Sequence, residues 1–555
     1  MKRAILCSII CTIFFSGSYG IDAVKIQQLD GLCRVWGCLK YYHPEIQKGK
    51  VDWDSTLLQT IPKVFNAGDN ISYNKIINEF ILSAGKVKTL SKPYKYLPKD
   101  TTYNNFDFAW IDDSKLFTKE NSRLIRDVLE NYKPRKNVYI KSEINKYYFE
   151  EGEKKFHEYY FKNNYNPDSA HALLACFRYW NVINYFFGYK KIMNENWNDV
   201  LPEFIPKILA STSSPDFYLT MVELTAKIND CHGFLNNYNY DSLMGSYYIP
   251  FGFHFVEGKT ILGDIPDTLS LITGMKKGDV VIKINGIPAE EKRKEMRKYC
   301  NCSTDASLER EINYALRNSL TKQFSITFSD STGEIKTAEF PKAEYWRHYK
   351  EPPSIRLLAD SIGYIDLGPM TKMREVGKAM DHFRNAKAII FDLRNNSETM
   401  MLPVGLRLPN RKGVAFANYY EADFKYPATY KFTKDKDWYL GLRAFHKKYY
   451  GKIIILINEN VQSTYEWQLM SLRTDYKIIL VGSNTSGTDG SATSFLIQKN
   501  FLAYFTRDAV FFSDGKPTQR IGLKPDVYVT PTVKGIQQGK DEVLERAVEY
   551  INTGK

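Results

Sequence analysis

Ser463 has the sequence setting of a nucleophile. It follows an apolar run, Ile453–Ile457, and precedes Tyr465–Arg473, in which apolar residues recur at helical spacing. This order predicts a strand, a sharp turn and a helix, which would hold the serine hydroxyl beside the free N–H groups of the helix. The same residues also fit an ordinary helix cap, because a serine followed three residues later by Glu466 is typical of a capping box. This stretch alone favours the cap.

His232 lies in a second segment that could carry chemistry. It follows a helical pattern over Leu219–Lys227 and precedes Gly233, so the turn would leave its ring free to meet a distant element. The segment alone does not set His232 apart from the other histidines of the chain. Most of the eight are expected to be structural or surface residues.

Length and composition indicate a globular protein of several domains. At about 150 residues per domain, the 555 residues predict three or four domains, and 43% hydrophobic with 25% charged residues is a globular composition. The net charge of +13 is spread among acidic residues, as in Glu290–Lys298, which favours solvated helix faces over a nucleic-acid partner. No motif predicts a metal or a cofactor.

The N-terminus predicts export. Lys2 and Arg3 precede an apolar run, Ala4–Phe15, and small residues lead to a cut near Gly20, so residues 1–20 are expected to be a signal peptide. The run is too short for a stable membrane anchor. We expect a periplasmic location, with an extracellular one as the alternative. The six cysteines that remain are expected to be mainly buried free thiols, with Cys300 and Cys302 left open.

Two regions, 21–85 and 166–242, contain copies of one pattern. The identical residues share one offset: Trp36, Tyr41, Trp53, Leu57, Ile61, Pro62 and Lys63 match Trp180, Tyr185, Trp197, Leu201, Ile205, Pro206 and Lys207. Their helical spacing predicts two helical hairpins with aromatic cores. Residues 86–165 form a connector with a helix over Ser122–Tyr132. His43 becomes Phe187 in the second copy, which favours packing over metal binding.

Residues 243–300 change to a pattern of short strands. The string GMKKGDVVIKING at 274–286 looks like part of a PDZ domain, a module that binds an extended peptide along a sheet edge. The carboxylate-binding loop would be Ile249, Pro250, Phe251, Gly252 and Phe253. A small β-domain without a ligand is the alternative interpretation.

Residues 301–555 predict an α/β core. A helix over Ala306–Arg317 and a strand pair within Phe324–Phe340 come first, and apolar strands then alternate with helices up to a terminal amphipathic helix. The predicted fold class is therefore α+β multidomain, with helical N-terminal repeats, a PDZ-like β-domain and an α/β core.

An ordered set of strings gives a family resemblance. SIGYIDL, AIIFDLRNN, IILINENVQSTYE, ILVGSNTSGTDG and GLKPD follow the PDZ-like segment, and together they resemble the C-terminal-processing and tricorn-like serine peptidases. The resemblance spans residue 213 to the end, and the repeats are similar to the helical extension of exported Bacteroidetes members. It implies a ClpP/crotonase-like core, Ser463 as nucleophile, the Thr464 N–H as oxyanion donor and His232 as general base.

The chain departs from the family pattern at three places. Thr488 and Asp489 stand where Ser-Lys members carry the base lysine, so a Ser-His arrangement is expected. Gln519 replaces a glutamate of tricorn-like members; an amide can orient an imidazole but cannot stabilise the imidazolium as a carboxylate would. Ser397 and Glu398 replace glycines at the second oxyanion position, which puts that donor in doubt.

Two functions follow from these residues. The first is an exported serine endopeptidase that cleaves peptides or unfolded proteins through an acyl-enzyme on Ser463. The second is a peptide-binding protein that keeps the fold and has lost turnover, which the missing lysine, glutamate and glycines favour. The approach of Ser463 to His232 discriminates between them.

Overall fold

The structure is a computed structural model, and it describes residues 21–91, 103–140, 167–237, 245–342, 353–395, 401–409, 415–436, 447–474, 476–498 and 501–555. The predicted signal peptide and the segment with Ser397 and Glu398 lie outside these ranges. The α-helices are α1 (Ala23–Tyr42), α2 (Pro44–Gln47), α3 (Trp53–Phe65), α4 (Asn70–Ser83), α5 (Lys119–Glu130), α6 (Ser169–Phe186), α7 (Trp197–Leu209), α8 (Ser214–Ala226), α9 (Asp267–Thr273), α10 (Ala289–Met296), α11 (Asp305–Ala315), α12 (Met373–His382), α13 (Leu402–Arg407), α14 (Thr464–Arg473), α15 (Val533–Gln537) and α16 (Glu542–Thr553).

The strands run from β1 to β19 in chain order. They are β1 (Leu235–Asn237), β2 (Tyr247–Tyr248), β3 (Phe253–Val256), β4 (Lys259–Leu262), β5 (Val280–Ile284), β6 (Ile287–Pro288), β7 (Asn318–Ser319), β8 (Gln323–Ser329), β9 (Ile335–Pro341), β10 (Ile355–Leu358), β11 (Ile362–Asp366), β12 (Ala388–Asp392), β13 (Ala415–Ala422), β14 (Tyr430–Lys436), β15 (Lys452–Ile457), β16 (Ile478–Gly482), β17 (Ser491–Gln498), β18 (Phe501–Phe512) and β19 (Val527–Tyr528).

The repeated pattern forms two helical hairpins, α1 with α3 and α6 with α7. Each hairpin is closed by the same hydrogen bond, because the indole N–H of the second tryptophan donates to the carbonyl of the first. Trp53 donates to Trp36 O at 2.9 Å, and Trp197 donates to Trp180 O at 3.0 Å. His43 is buried at the start of α2, where Nδ1 accepts from the Glu45 N–H. The repeat therefore preserves an interhelical hydrogen bond and a core position.

The helical region and a mixed sheet share one hydrophobic core. Phe495, Phe501 and Phe505 of β17 and β18 pack in the same buried cluster as the inward faces of α1, α6 and α8. Tyr179 of α6 stacks on Phe495 with ring centroids 6.0 Å apart. The sheet has the order β1-β18-β13-β14, with β17 also paired to β18. The end of α8, which leads to His232, is thus fixed against β18.

A separate β-domain has the strand order β3-β4-β5-β8-β9 and its own buried core. Because β8 pairs with β5 and β9 pairs with β8, the domain extends from β2 to Pro341. The predicted boundary at residue 300 is wrong, since it separates β5 from its hydrogen-bonding partner. Helix α11 packs on this domain. Leu308 and Ile312 of the helix and Leu316 immediately after it lie in the core. Strand β3 lies at the sheet edge.

The third unit is a sheet of order β10-β11-β12-β15-β16-β19, parallel except for β10. Its central strands are buried on both faces, as their continuous apolar runs predict. Ile453, Ile455 and Ile457 face a core shared with α12, α13 and α14, whereas Ile454 and Leu456 face α16. The strand–turn–helix predicted around Ser463 is present as β15, a turn and α14.

Candidate active site

Ser463 has a strained backbone at the junction of β15 and α14. Its dihedral angles are φ 57° and ψ −119°, whereas an ordinary N-cap residue is extended. A non-glycine residue in such a region costs on the order of 1–3 kcal/mol and persists where the surroundings enforce it. Glu466 makes one half of a capping box, because its carboxylate accepts from the Ser463 N–H, whereas Ser463 makes no side-chain cap hydrogen bond. The cap and the exposed turn therefore occur together, and the strain sets this serine apart from a simple cap.

Glu466 anchors the turn to the loop that follows β16. Its carboxylate accepts hydrogen bonds from the backbone N–H groups of Ser463 at 3.1 Å, Gly487 at 2.9 Å and Thr488 at 3.0 Å, and from the Thr485 hydroxyl. The Ser463 N–H also donates to Thr488 O at 2.8 Å. Burial raises the pKa of Glu466 to about 7 against the effect of these donors. One buried carboxyl group thus joins the Ser463 backbone to the loop after β16.

The imidazole of His232 is held by Thr506 of β18 and by Asp230. His232 Nδ1 lies 2.9 Å from Thr506 Oγ1, and the Thr506 hydroxyl donates to Asp230 Oδ1 at 3.0 Å. Asp230 also accepts from the N–H groups of Thr506 at 2.7 Å and His232 at 3.1 Å. Because the threonine proton goes to Asp230, its oxygen accepts from Nδ1–H. Nε2 is then unprotonated and makes no hydrogen bond within the described part of the chain.

The electrostatic surroundings favour the neutral form of His232. Burial lowers the pKa of His232, the Asp230 carboxylate opposes this effect, and the Arg310 guanidinium adds to the lowering. Arg310 itself donates to Glu459 O at 2.6 Å and to Gln462 Oε1 at 2.8 Å, on the turn that carries Ser463. A neutral imidazole with a free Nε2 is the form that a general base requires.

The His232 segment and the Ser463 turn meet through the loop after β16. Cys231 Sγ lies 3.4 Å from Ser486 Oγ, and the Ser486 hydroxyl donates to Gln462 Oε1 at 3.1 Å. Residues adjacent to the base and to the serine are therefore linked by two hydrogen bonds. Among the described residues, no hydrogen bond joins Ser463 to His232 directly. Catalytic contacts are often longer without substrate, so this absence does not by itself exclude a Ser463–His232 pair.

Gln519 occupies a different position from the one predicted. Its Nε2 donates to Asp230 Oδ1 at 3.3 Å and to Ser303 Oγ at 3.0 Å, and its Oε1 accepts from the Asp489 N–H at 3.3 Å. None of these bonds reaches His232, so the assignment of Gln519 as the residue that holds the imidazole is corrected. Thr506 takes that place, and Gln519 supports Asp230.

Asp489 cannot replace the missing base lysine. Burial, together with the negative charge of Glu466, raises the pKa of Asp489 well above its usual range. This shift disfavours the carboxylate, which is the form of Asp489 that could accept a proton. Thr488 Oγ1 is engaged with Ser303 Oγ. His232 is accordingly the base candidate on this side of the turn.

The Thr464 N–H is available as an oxyanion donor. Thr464 is the first residue of α14, and within the described ranges its N–H has no backbone or side-chain acceptor. The free N–H groups at a helix N-terminus favour a developing negative charge. Ser397 and Glu398, predicted at the second oxyanion position, lie outside the described residues.

The predicted carboxylate-binding loop is largely part of a hydrophobic core. Ile249, Phe251 and Phe253 are buried in the β-domain, and the Ile249 N–H donates to Arg317 O at 2.9 Å. The Gly252 carbonyl accepts from the Gly263 N–H at 2.9 Å. Peptide capture by this loop therefore stays a prediction.

Three residues of the site were missed by the sequence analysis. Thr506 lies inside a long strand without a motif, and Arg310 belongs to a helix of the β-domain, so neither gave a local signal. Asp230 stands two positions before His232, and this proximity is the one signal that could have found it. All three are brought in by contacts between distant parts of the chain.

Comparisons with known proteins give a family match for one region and a likeness of fold. Residues 361–529 match the family described as Peptidase family S41. No curated protein matches the chain. Mature CPAF complexed with lactacystin is 12% identical, with a TM-score of 0.55 over 70% of this chain and 99% of that chain, and mature CPAF gives the same values. The photosystem II D1 C-terminal processing protease is 14% identical, with a TM-score of 0.38 over 67% of this chain and 98% of that chain. The likeness to CPAF shows a shared fold.

Proposed function

We propose that this chain is a serine peptidase, which the match of residues 361–529 to Peptidase family S41 supports, and that it cleaves peptides or unfolded proteins through an acyl-enzyme on Ser463, with His232 as general base. The single observation that carries the proposal is the strained turn of Ser463, which is fixed by Glu466 and linked through Ser486 to the base segment. Stored strain of this kind is typical of functional sites.

The chemistry follows from the hydrogen bonds of the site. Ser463 Oγ attacks the scissile carbonyl carbon, its proton passes to His232 Nε2, and the oxyanion is stabilised by the Thr464 N–H. The imidazolium then gives its proton to the leaving amine as the C–N bond breaks. Water, deprotonated by the same imidazole, attacks the ester, and the returning proton restores the serine hydroxyl.

Thr506 and Asp230 act as positioning residues in this scheme. Thr506 fixes the tautomer of His232, and the Asp230 carboxylate lies one hydroxyl away from the ring, so it stabilises the imidazolium at longer range. In a Ser-His-Asp triad the carboxylate contacts the imidazole directly. We therefore expect turnover that is slower than that of a direct Ser-His-Asp triad.

The experiment compares wild-type protein with Ser463→Ala. Wild-type protein should react with a fluorophosphonate and release new amino termini from an unfolded protein substrate, and the variant should do neither. Labelling that persists in Ser463→Ala would identify another nucleophile. A wild type that binds peptides without reacting would support the second candidate, a peptide-binding protein without turnover, which the absent Ser463–His232 hydrogen bond favours.

Export and peptide capture belong to the same proposal. The charged and apolar N-terminal segment supports removal of residues 1–20 and a periplasmic location, and a mature N-terminus at Ile21 would test it. The edge position of β3 supports addition of an extended peptide to the β-domain. Among the described residues, no helix has the length and apolar character needed to cross a membrane.

A further inference from the structure

A stacked pair of aromatic rings, of which Phe234 is exposed and Tyr504 is half-buried, lies close to His232 in the chain. Phe234 and Tyr504 stack with ring centroids 4.3 Å apart and an interplanar angle of 8°. The Tyr504 N–H donates to Phe234 O at 2.9 Å, so backbone and side chains hold the pair together. Phe234 nevertheless remains 48% exposed. One large apolar surface of the stacked pair is therefore accessible to a ligand.

The stacked pair belongs to the same strand face as the imidazole contact. Side chains two positions apart on a strand point to the same side, so Tyr504 and Thr506 share one face of β18. Tyr504 contacts Phe234, and Thr506 contacts His232, two residues earlier in the chain. The two contacts are successive rungs, about 7 Å apart at about 3.4 Å per residue.

This spacing fits a peptide bound at the site. An extended substrate also advances about 3.3 Å per residue, so its side chains within two or three residues of the scissile bond can reach the stacked pair. We propose that Phe234 and Tyr504 form a subsite that selects an apolar or aromatic substrate side chain close to the scissile bond. This inference rests on the proposed peptidase function and assigns it a specificity.

A second exposed aromatic pair serves as a control that separates a structural role of Phe234 from a role in substrate binding. Phe432 of β14 is also 48% exposed, and it packs on Tyr420 of the neighbouring strand with ring centroids 5.2 Å apart. Cross-strand aromatic pairs of this kind stabilise a sheet wherever they occur. Phe432→Ala therefore removes the same amount of exposed ring from a pair that has no contact with His232.

The test measures discrimination between substrates. Peptides that carry either Phe or Ser at a single position, scanned over three residues on each side of the scissile bond, are compared by kcat/KM. Wild-type protein should prefer Phe at one position by about 10-fold to 100-fold, the scale for one apolar contact in a pocket. Phe234→Ala should reduce that preference to about threefold or less, and Phe234→Leu should keep part of it. Phe432→Ala should keep the wild-type preference.

The other possible results contradict either the subsite or the proposed peptidase function. The subsite would be overturned if the wild-type preference survived in Phe234→Ala, or if the wild type preferred no position. It would also be overturned if Phe432→Ala lost as much of the preference as Phe234→Ala. Labelling of Ser463 by a fluorophosphonate is measured first. A wild type that does not react contradicts the proposed function itself, whereas a reactive wild type without discrimination contradicts only the subsite.

Discussion

At the scale of single residues, Ser463 combines strain with chemistry. Its φ of 57° is a conformation that glycine adopts without a steric penalty. Ser463→Ala and Ser463→Gly both remove the hydroxyl, so both should lose fluorophosphonate labelling. They differ in strain, and Ser463→Gly should be the more stable by about 1–2 kcal/mol in urea unfolding. Equal stability of the two variants would show that the turn relaxes in solution.

Thr506 tests whether the base is positioned through a hydroxyl. Thr506→Val removes the acceptor of Nδ1–H with little change of shape, and it should lower kcat by about 10-fold to 100-fold with KM nearly constant. His232→Ala should cost more, on the order of 10²-fold to 10⁴-fold. Thr429→Val removes a buried hydroxyl that donates to Tyr426 O and is the control. A drop in the control as large as that in Thr506→Val would point to general destabilisation.

The pH dependence reports on the surroundings of His232. Because burial lowers the pKa of His232, the imidazole stays neutral to lower pH, and the acid limb of kcat/KM should have its midpoint below 6.5. Arg310→Met removes a positive charge that disfavours the imidazolium, so the midpoint should rise. Arg297→Met, which removes an exposed ion pair with Glu309, should leave the midpoint in place. A midpoint that Arg310→Met lowers would contradict the charge assignment.

At the scale of elements, one carboxyl group connects helix α14 with the loop after β16. Glu466→Gln replaces an acceptor of four hydrogen bonds by an amide whose single carbonyl oxygen cannot satisfy them all. Each buried donor left unpaired costs about 1–3 kcal/mol, so the variant should unfold at lower urea concentration and label more slowly. Glu545→Gln, on the exposed side of α16, is the control.

The stability difference between wild type and Glu466→Gln should depend on pH. The pKa of Glu466 is raised from 4.5 to about 7 on folding, so the folded state binds the proton more tightly than the unfolded state. The resulting stabilisation is complete below about pH 4.5 and is lost as the pH rises to about 7. The difference in unfolding free energy between wild type and Glu466→Gln should shrink over that range, by at most about 3 kcal/mol. A difference that grows with pH would show that the carboxylate form is the one stabilised by folding.

At the scale of the whole molecule, the hydrophobic cores do not follow the regions predicted along the sequence. The helical repeats and strands β17 and β18 share one core, whereas the β-domain has another. Phe495→Ala should cost about 3–5 kcal/mol and speed hydrogen exchange in α6 and β18 together. Phe328→Ala, in the core of the β-domain, should speed exchange in β8 and β9 instead. Exchange that rises throughout the chain in both variants would mean that the cores unfold as one unit.

Local sequence patterns predicted the main helices and strands and the Ser463 side of the candidate site. Apolar spacing placed the two hairpins, the strands of the parallel sheet and the turn of Ser463, because periodicity and capping are properties of adjacent residues. The ordered strings indicated the peptidase family, and the match of residues 361–529 to Peptidase family S41 confirms it. His232 was selected by the resemblance, and the structure links its segment to the serine turn.

Only the tertiary structure decided what surrounds the imidazole and where the β-domain ends. Thr506 reaches His232 because β18 pairs with β1 immediately after the histidine, and β8 joins β5 across the predicted boundary. Gln519 was assigned to the ring from its place in a motif, yet its amide meets Asp230. These contacts join residues far apart in the chain, and their geometry depends on how sheets and helices pack. A linear pattern determines which face of an element is apolar, but the partner of each polar side chain is determined only when those faces are buried together.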